Sequence, residues 1–205
     1  MGLCTAVKVS RVNNLSDARY CAGMGVRWIG FCLDATEPAY LPFSKALEIA
    51  SWLSGVAFIG ELYRELPPSD IHRYPLDYLQ TDCPEKLPLL QSYGLPLVLR
   101  LPAHTPADLL KAQQIMSENA HWVEFFLLEG NLSPEVETVQ TLLKQICRQY
   151  PTLLGLRFSP ACVLEHIHSF QPYGIALQGG FEIKPGLKDF DEMAAILEAL
   201  EIEED

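Results

Sequence analysis

Short apolar runs alternate with amphipathic stretches along the chain, and the runs at residues 6–10, 27–33, 57–62, 78–81, 96–101, 123–129, 153–158 and 175–179 read as strands. Each is close to an unbroken apolar segment rather than a strict apolar/polar alternation, as expected of parallel strands covered on both faces. The stretches between them carry helix-start signals. Ser16-Asp17, Pro42-Phe43-Ser44, Ser133-Pro134-Glu135 and Ser159-Pro160 each open one, most of them setting a cap residue beside a proline or an acid. The third connection is the exception, because Pro67 and Pro68 leave room for only a short helix or a single turn. Eight strands, each followed by a helical or helix-like segment, predict an α/β fold: a single (β/α)8 TIM barrel. No Gly/Ser-rich linker interrupts the pattern, so one domain is expected across residues 1–205.

Composition fits this picture. The chain has 205 residues, 49% of them hydrophobic and 20% charged, which is enough to bury a sizeable core. Its six cysteines (Cys4, Cys21, Cys32, Cys83, Cys147, Cys162) never fall at C-x-x-C spacing and read as reduced, buried thiols of a cytoplasmic protein. Lys8 and Arg11 interrupt the first apolar segment, so no secretory leader is expected, and no apolar run is long enough to span a bilayer. A formal charge of -11 repels phosphate backbones and argues against nucleic acid as a partner. The acidic tail from Glu198 to Asp205 reads as a fraying helix end. His72 and His104 fall in loops and read as solvated, while His166 and His168, two apart on a helix, face different directions. No His/Asp/Glu spacing converges on a metal, and no cofactor is expected. Trp28, Trp52 and Trp122 sit in apolar patterns and read as packing residues.

In such a barrel chemistry sits where the strands end, and those ends carry Ser10-Arg11, Asp34, Arg64-Glu65, Gln80-Asp82, Arg100, Glu129, Arg157 and Gln178-Gly179-Gly180.

The first of these stretches, Lys8-Val9-Ser10-Arg11-Val12-Asn13-Asn14-Leu15-Ser16-Asp17-Ala18, resembles the opening of the phosphoribosylanthranilate isomerase family of tryptophan biosynthesis, K-x-C-G-[IL]-[TR]-N-x-x-D-A. Further segments resemble the same family. Residues 25–31 follow G-x-x-x-[IVL]-G-F, Tyr78-Leu79-Gln80-Thr81-Asp82 follows x-x-Q-L-H-G, and Leu127-Leu128-Glu129 follows L-L-D. Gln178-Gly179-Gly180-Phe181-Glu182, with Pro185-Gly186-Leu187-Lys188-Asp189, follows S-S-G-V-E…P-G-x-K-D.

The resemblance implies an Amadori rearrangement, in which a general acid opens a furanose ring and a general base removes the sugar C2 proton. It places the base at Ser10, where the family has cysteine, and the acid at Glu129, one methylene longer than the family's aspartate. A serine hydroxyl is a far poorer base than a thiolate. The arginine that holds the anthranilate carboxylate corresponds to Ala39, which cannot imitate a charge-assisted contact. Phosphate would lie on backbone N–H groups after the last two strands, where Arg157 replaces a glycine and Gly179 and Gly180 remain. The closing G-G-T-G loop after the sixth strand has no counterpart at Glu129-Gly130-Asn131-Leu132. Lys8 is the family's first-strand lysine, held by a carboxylate or touching ligand, and Gln80 is its fourth-strand glutamine. Glu129 and Arg157, at the ends of adjacent strands, are expected to pair. Two readings stay open: a barrel that has lost or changed the family activity and binds a phosphorylated small molecule, or an active isomerase on phosphoribosylanthranilate or a related phosphosugar, in which Glu129, Arg11 and Arg157 form the site.

Overall fold

A computed structural model describes residues 2–63, 67–179, 182–184, 187–188 and 191–202. Eight parallel strands close into a barrel in sequence order: β1 (Val7–Ser10), β2 (Trp28–Cys32), β3 (Ala57–Leu62), β4 (Tyr78–Thr81), β5 (Leu97–Pro102), β6 (Phe125–Glu129), β7 (Thr152–Gly155) and β8 (Gly174–Gln178), with β8 pairing back onto β1. The helices on the outside are α1 (Leu15–Gly23), α2 (Phe43–Ser51), α3 (Leu87–Leu90), α4 (Pro106–Asn119), α5 (Glu137–Gln149), α6 (Val163–Phe170) and α7 (Asp191–Ala199). Between β3 and β4 a single 3-10 turn, Ile71–Arg73, replaces the helix, in keeping with the two prolines before it.

Strand parity divides the core. Residues such as Ile29, Phe31, Leu99 and Leu128 pack outward under the helices. Trp28, Ile59, Val98, Phe125, Leu127, Leu153 and Ala176 fill the barrel interior. The same inward parity, continued toward the strand ends, carries Lys8, Ser10, Glu61, Gln80, Arg100 and Glu129, so the polar groups form the upper layer of the interior.

The N-x-x-D element of the opening motif has a mechanical meaning here. The Asn14 side chain accepts the Asp17 N–H at 2.9 Å and donates to the Asp17 carboxylate at 2.6 Å, capping α1 where it leaves β1. Such caps contribute on the order of 1 kcal/mol.

Several local expectations change. The seventh strand stops at Gly155 rather than residue 158, and Leu156 and Phe158 continue its apolar look while packing beyond the ladder. Helix α5 starts at Glu137, because Ser133-Pro134 forms a turn in which the serine hydroxyl accepts the Glu135 N–H at 3.4 Å. Helix α6 starts at Val163, one turn after Ser159. Trp52 is 66% exposed just past α2 and is not a packing residue. The acidic tail does not simply fray from the helix: α7 ends at Ala199, and Glu201–Ile202 pairs antiparallel with Gly2–Leu3. All six cysteines are free, yet only Cys21 and Cys32 are fully buried, and Cys4 is exposed. Among the described residues no helix is long and apolar enough to cross a membrane, and no group of three or more His, Cys, Asp or Glu could hold a metal ion.

Candidate functional site

The mouth of the barrel is organised around two arginines and one buried ion pair. Lys8, on β1, and Glu61, on β3, are both fully buried, and the Lys8 ammonium donates to Glu61 Oε1. Lys8 also donates to Ser10 Oγ at 2.6 Å. The other Glu61 oxygen accepts the Arg11 backbone N–H at 3.1 Å and the Tyr63 hydroxyl at 3.2 Å. Burial alone would raise the Glu61 pKa, but the Lys8 charge and the hydrogen bonds from Lys8, Ser10 and Arg11 outweigh it and hold the carboxyl below its ordinary value. Room for this carboxylate comes from Gly30 on β2, where a Cβ would stand 2.1 Å from Glu61 Oε1.

Arg11 occupies the left-handed region at φ 58, where the family motif has glycine. From that bend its Nε donates to the Tyr63 hydroxyl at 2.9 Å and its guanidinium lies 4.8 Å from the Tyr63 ring centroid. Arg100, on β5, stacks on the same ring at 4.6 Å. Burial, followed by the nearby Glu61 charge, pushes the Tyr63 phenol well above its usual range.

Arg100 is the hub of the open side. It donates to Glu129 Oε2 at 2.7 Å and to Asp82 Oδ2 at 3.0 Å. Burial disfavours its charge, but Glu129 and Asp82 more than compensate, and its pKa is raised. Beside it lies a cleft of about 280 Å³ lined by Asp82, Arg100, Leu101, Pro102, His104 and Glu129. The loop after β6 is pinned along one side of this cleft. Leu132 N–H donates to the Ala103 carbonyl at 3.1 Å and Asn131 N–H to His104 Nδ1 at 3.3 Å. Gly130 permits that approach, since a Cβ there would lie 2.2 Å from the Ala103 oxygen.

The sequence-derived candidates therefore fall into groups. Ser10, Lys8 and Arg11 share one network, Glu129 lies in the neighbouring one, and Gln80 is buried on the floor with an unpartnered Oε1. The pairing expected between Glu129 and Arg157 is not formed. Glu129 pairs with Arg100 instead, while Arg157 lies two residues past the end of β7, is exposed, and makes no ion pair among the described residues. Gly179 N–H is already engaged by the Ser10 carbonyl at 2.9 Å. Gly180, Arg64-Glu65 and the Pro185-Gly186 motif lie outside the described residues. Ala39 sits half-buried in the turn after β2, and Asp34 is buried there accepting from Thr36. Sequence reasoning passed over Glu61 and Tyr63, which hide within and just after the apolar run of β3, and read His104 as merely solvated. Inward parity counted from Ile59 was the available signal for Glu61.

No protein-family model matches the chain. Individual relatives do. The N-(5'-phosphoribosyl)anthranilate isomerase of Syntrophus aciditrophicus is 26% identical over 96% of this chain and 87% of its own length, and that of Aquifex aeolicus is 24% identical over 91% and 94%. The crystal structure of phosphoribosyl anthranilate isomerase from Thermotoga maritima superposes with a TM-score of 0.76 at 20% identity, covering 96% of this chain and 98% of that one. The chain belongs to the phosphoribosylanthranilate isomerase family. A structure of phosphoribosyl anthranilate isomerase in complex with reduced 1-(o-carboxyphenylamino)-1-deoxyribulose 5-phosphate matches equally well, with a TM-score of 0.75. Ser10 and Glu129 are each joined to a buried or half-buried cation of this chain.

Proposed function

We propose that this member of the family no longer carries out the isomerisation and has become a barrel that binds a small, sugar-derived molecule at the same mouth. The observation that carries the reading is the state of the two groups that would move protons. The Ser10 lone pair is taken by the Lys8 ammonium at 2.6 Å, and Ser10 is only 2% exposed. A hydroxyl already accepting from an ammonium has neither the basicity nor the access to remove a C–H proton. Glu129 is the anionic partner of Arg100, and to deliver a proton it has to give up that pair.

Losing a general base or acid costs about a hundred- to ten-thousand-fold each. Ala39 in place of the carboxylate-binding arginine and the short loop after β6 remove substrate positioning as well. Kinship makes a phosphorylated small molecule the ligand class to consider, with Lys8, Arg11, Gln80, Arg157, Gly179 and Gly180 as the residues the family pattern suggests for it. Of these, Arg11 keeps terminal guanidinium donors with only a loose partner, Glu37 at 3.8 Å.

The test is a fluorescence assay for disappearance of phosphoribosylanthranilate with purified protein, beside complementation of a tryptophan auxotroph. The expected result is no turnover above background and no growth. Robust turnover by the unmodified protein revives the active-isomerase reading with Glu129 as acid.

A further inference from the structure

We propose that the cleft between the ends of β4, β5 and β6 binds a small ligand bearing a protonated amine. The inference rests on the reading above, that the mouth binds rather than isomerises, and it names the chemistry of what is bound.

The cleft offers unsatisfied acceptors. Arg100 engages Glu129 Oε2 and Asp82 Oδ2, and leaves the second oxygen of each carboxylate poorly served. Among the described residues, Asp82 Oδ1 receives only the Cys83 thiol at 3.5 Å, and Glu129 Oε1 only the Gln178 amide at 3.5 Å. The amide contact lies at the weak limit of hydrogen bonding, and a thiol is a weak donor at any distance. Beneath them is a third acceptor. Gln80 shares the inward parity of Asp82 two residues earlier on the same strand end and pairs in register with Val98, the inward residue before Arg100. Its Oε1 is buried without a partner. A buried amide oxygen in that state is an acceptor still to be satisfied.

Charge points the same way. Two carboxylates face one guanidinium in the cleft lining. The cleft is thus locally negative within a chain of net charge -11. Within this cleft a phosphate or carboxylate group brings acceptors to acceptors and anion to anion, whereas an ammonium group of the ligand brings three donors and the complementary charge. At about 280 Å³ the space suits a molecule of monosaccharide size or smaller.

The test uses the full-length protein labelled with 15N and a matched pair of probes at pH 6.5, glucosamine and glucose, which share a ring and differ in the amine. The expected result is that glucosamine shifts the backbone amides of Cys83, Arg100, Leu101, His104 and Gly130, and that glucose binds about tenfold more weakly or less, one charge-assisted hydrogen bond being worth that ratio. Asp82→Asn and Glu129→Gln should each weaken glucosamine by a similar factor, while the exposed Glu85→Gln leaves it unchanged. Spectra that otherwise overlay those of the unmodified protein show that the variants remain folded. Equal binding of both sugars, indifference to the two carboxylates, or no shift with either sugar overturns the inference. The turnover assay on the same sample separates the two claims: absent turnover with absent amine binding sinks this inference alone, whereas turnover sinks the functional reading whatever glucosamine does.

Discussion

Replacing Lys8 with methionine isolates the interaction on which the mouth is built. Both members of the Lys8–Glu61 pair have fully buried side chains, so the substitution strands a carboxylate inside the barrel rather than returning it to water. Breaking a buried pair from one side costs about 3–5 kcal/mol. For a chain of this length that corresponds to a fall in Tm of roughly 6–20 °C. Replacing both partners, Lys8→Met with Glu61→Leu, should recover most of the loss, because no charge is then buried unpaired. The pH dependence gives a second readout with opposite signs. In the unmodified protein the folded Glu61 pKa is depressed, so its contribution is present above the unfolded carboxylate value of about 4.3 and disappears as pH falls through the lower folded value. In Lys8→Met the desolvated carboxyl titrates above its unfolded value. Its cost is then greatest near neutrality and is relieved as pH falls from 7 toward 5. Urea unfolding followed by circular dichroism at several pH values measures both effects. A loss below about 1 kcal/mol, or a variant whose stability follows the same pH curve as the parent, would refute the account of the pair as a buried, charged lock.

Ser10→Cys alone should yield no isomerase activity in the fluorescence assay, since Ala39 and the short loop after β6 would remain. Gly30→Ala drives a methyl into the Glu61 carboxylate and should destabilise by about 3 kcal/mol in urea unfolding, the upper range for overpacking. Arg11→Ala and Arg11→Gly remove the same side-chain contacts, so the glycine variant should be the more stable by about 1 kcal/mol, reflecting the left-handed backbone alone. Native alkylation at pH 8 followed by mass mapping should leave Cys32 and Cys147 unmodified, burial having pushed their pKa values up to about 11 and about 12.

The barrel was legible because its strands are apolar on both faces, a pattern that survives without any knowledge of the turns between them. Residues 57–62 and 78–81 coincide with β3 and β4 for this reason. Where the apolar pattern runs past the ladder, as at Leu156 and Phe158, the same rule overshoots, and it carried Arg157 with it. Arg157 looked like a strand-end partner for Glu129 because β7 was read three residues too long. Arg100 was visible as a strand-end residue but had no assigned role. Its place beside Glu129 follows from inward parity on β5 together with a register that sets Pro102 opposite Glu129, and register between parallel strands has no local signature. Glu61 was hidden by the hydrophobic run around it, since a buried acid becomes meaningful only once a cation from another strand is known to meet it.

The charged groups at the mouth support one another physically. An arginine at the glycine position adopts a costly backbone and aims its guanidinium at Tyr63, which Arg100 covers from its own position on β5. Glu129 meets Arg100 at 2.7 Å, and the pair lines the cleft. Removing any one of these side chains leaves its partners unpaired, so the effects should be non-additive. A double-mutant cycle between Arg11→Ala and Arg100→Ala measures this directly, since the two guanidiniums meet only through Tyr63. A coupling energy above about 0.5 kcal/mol identifies one connected network, whereas strict additivity separates the mouth into two unrelated surface features.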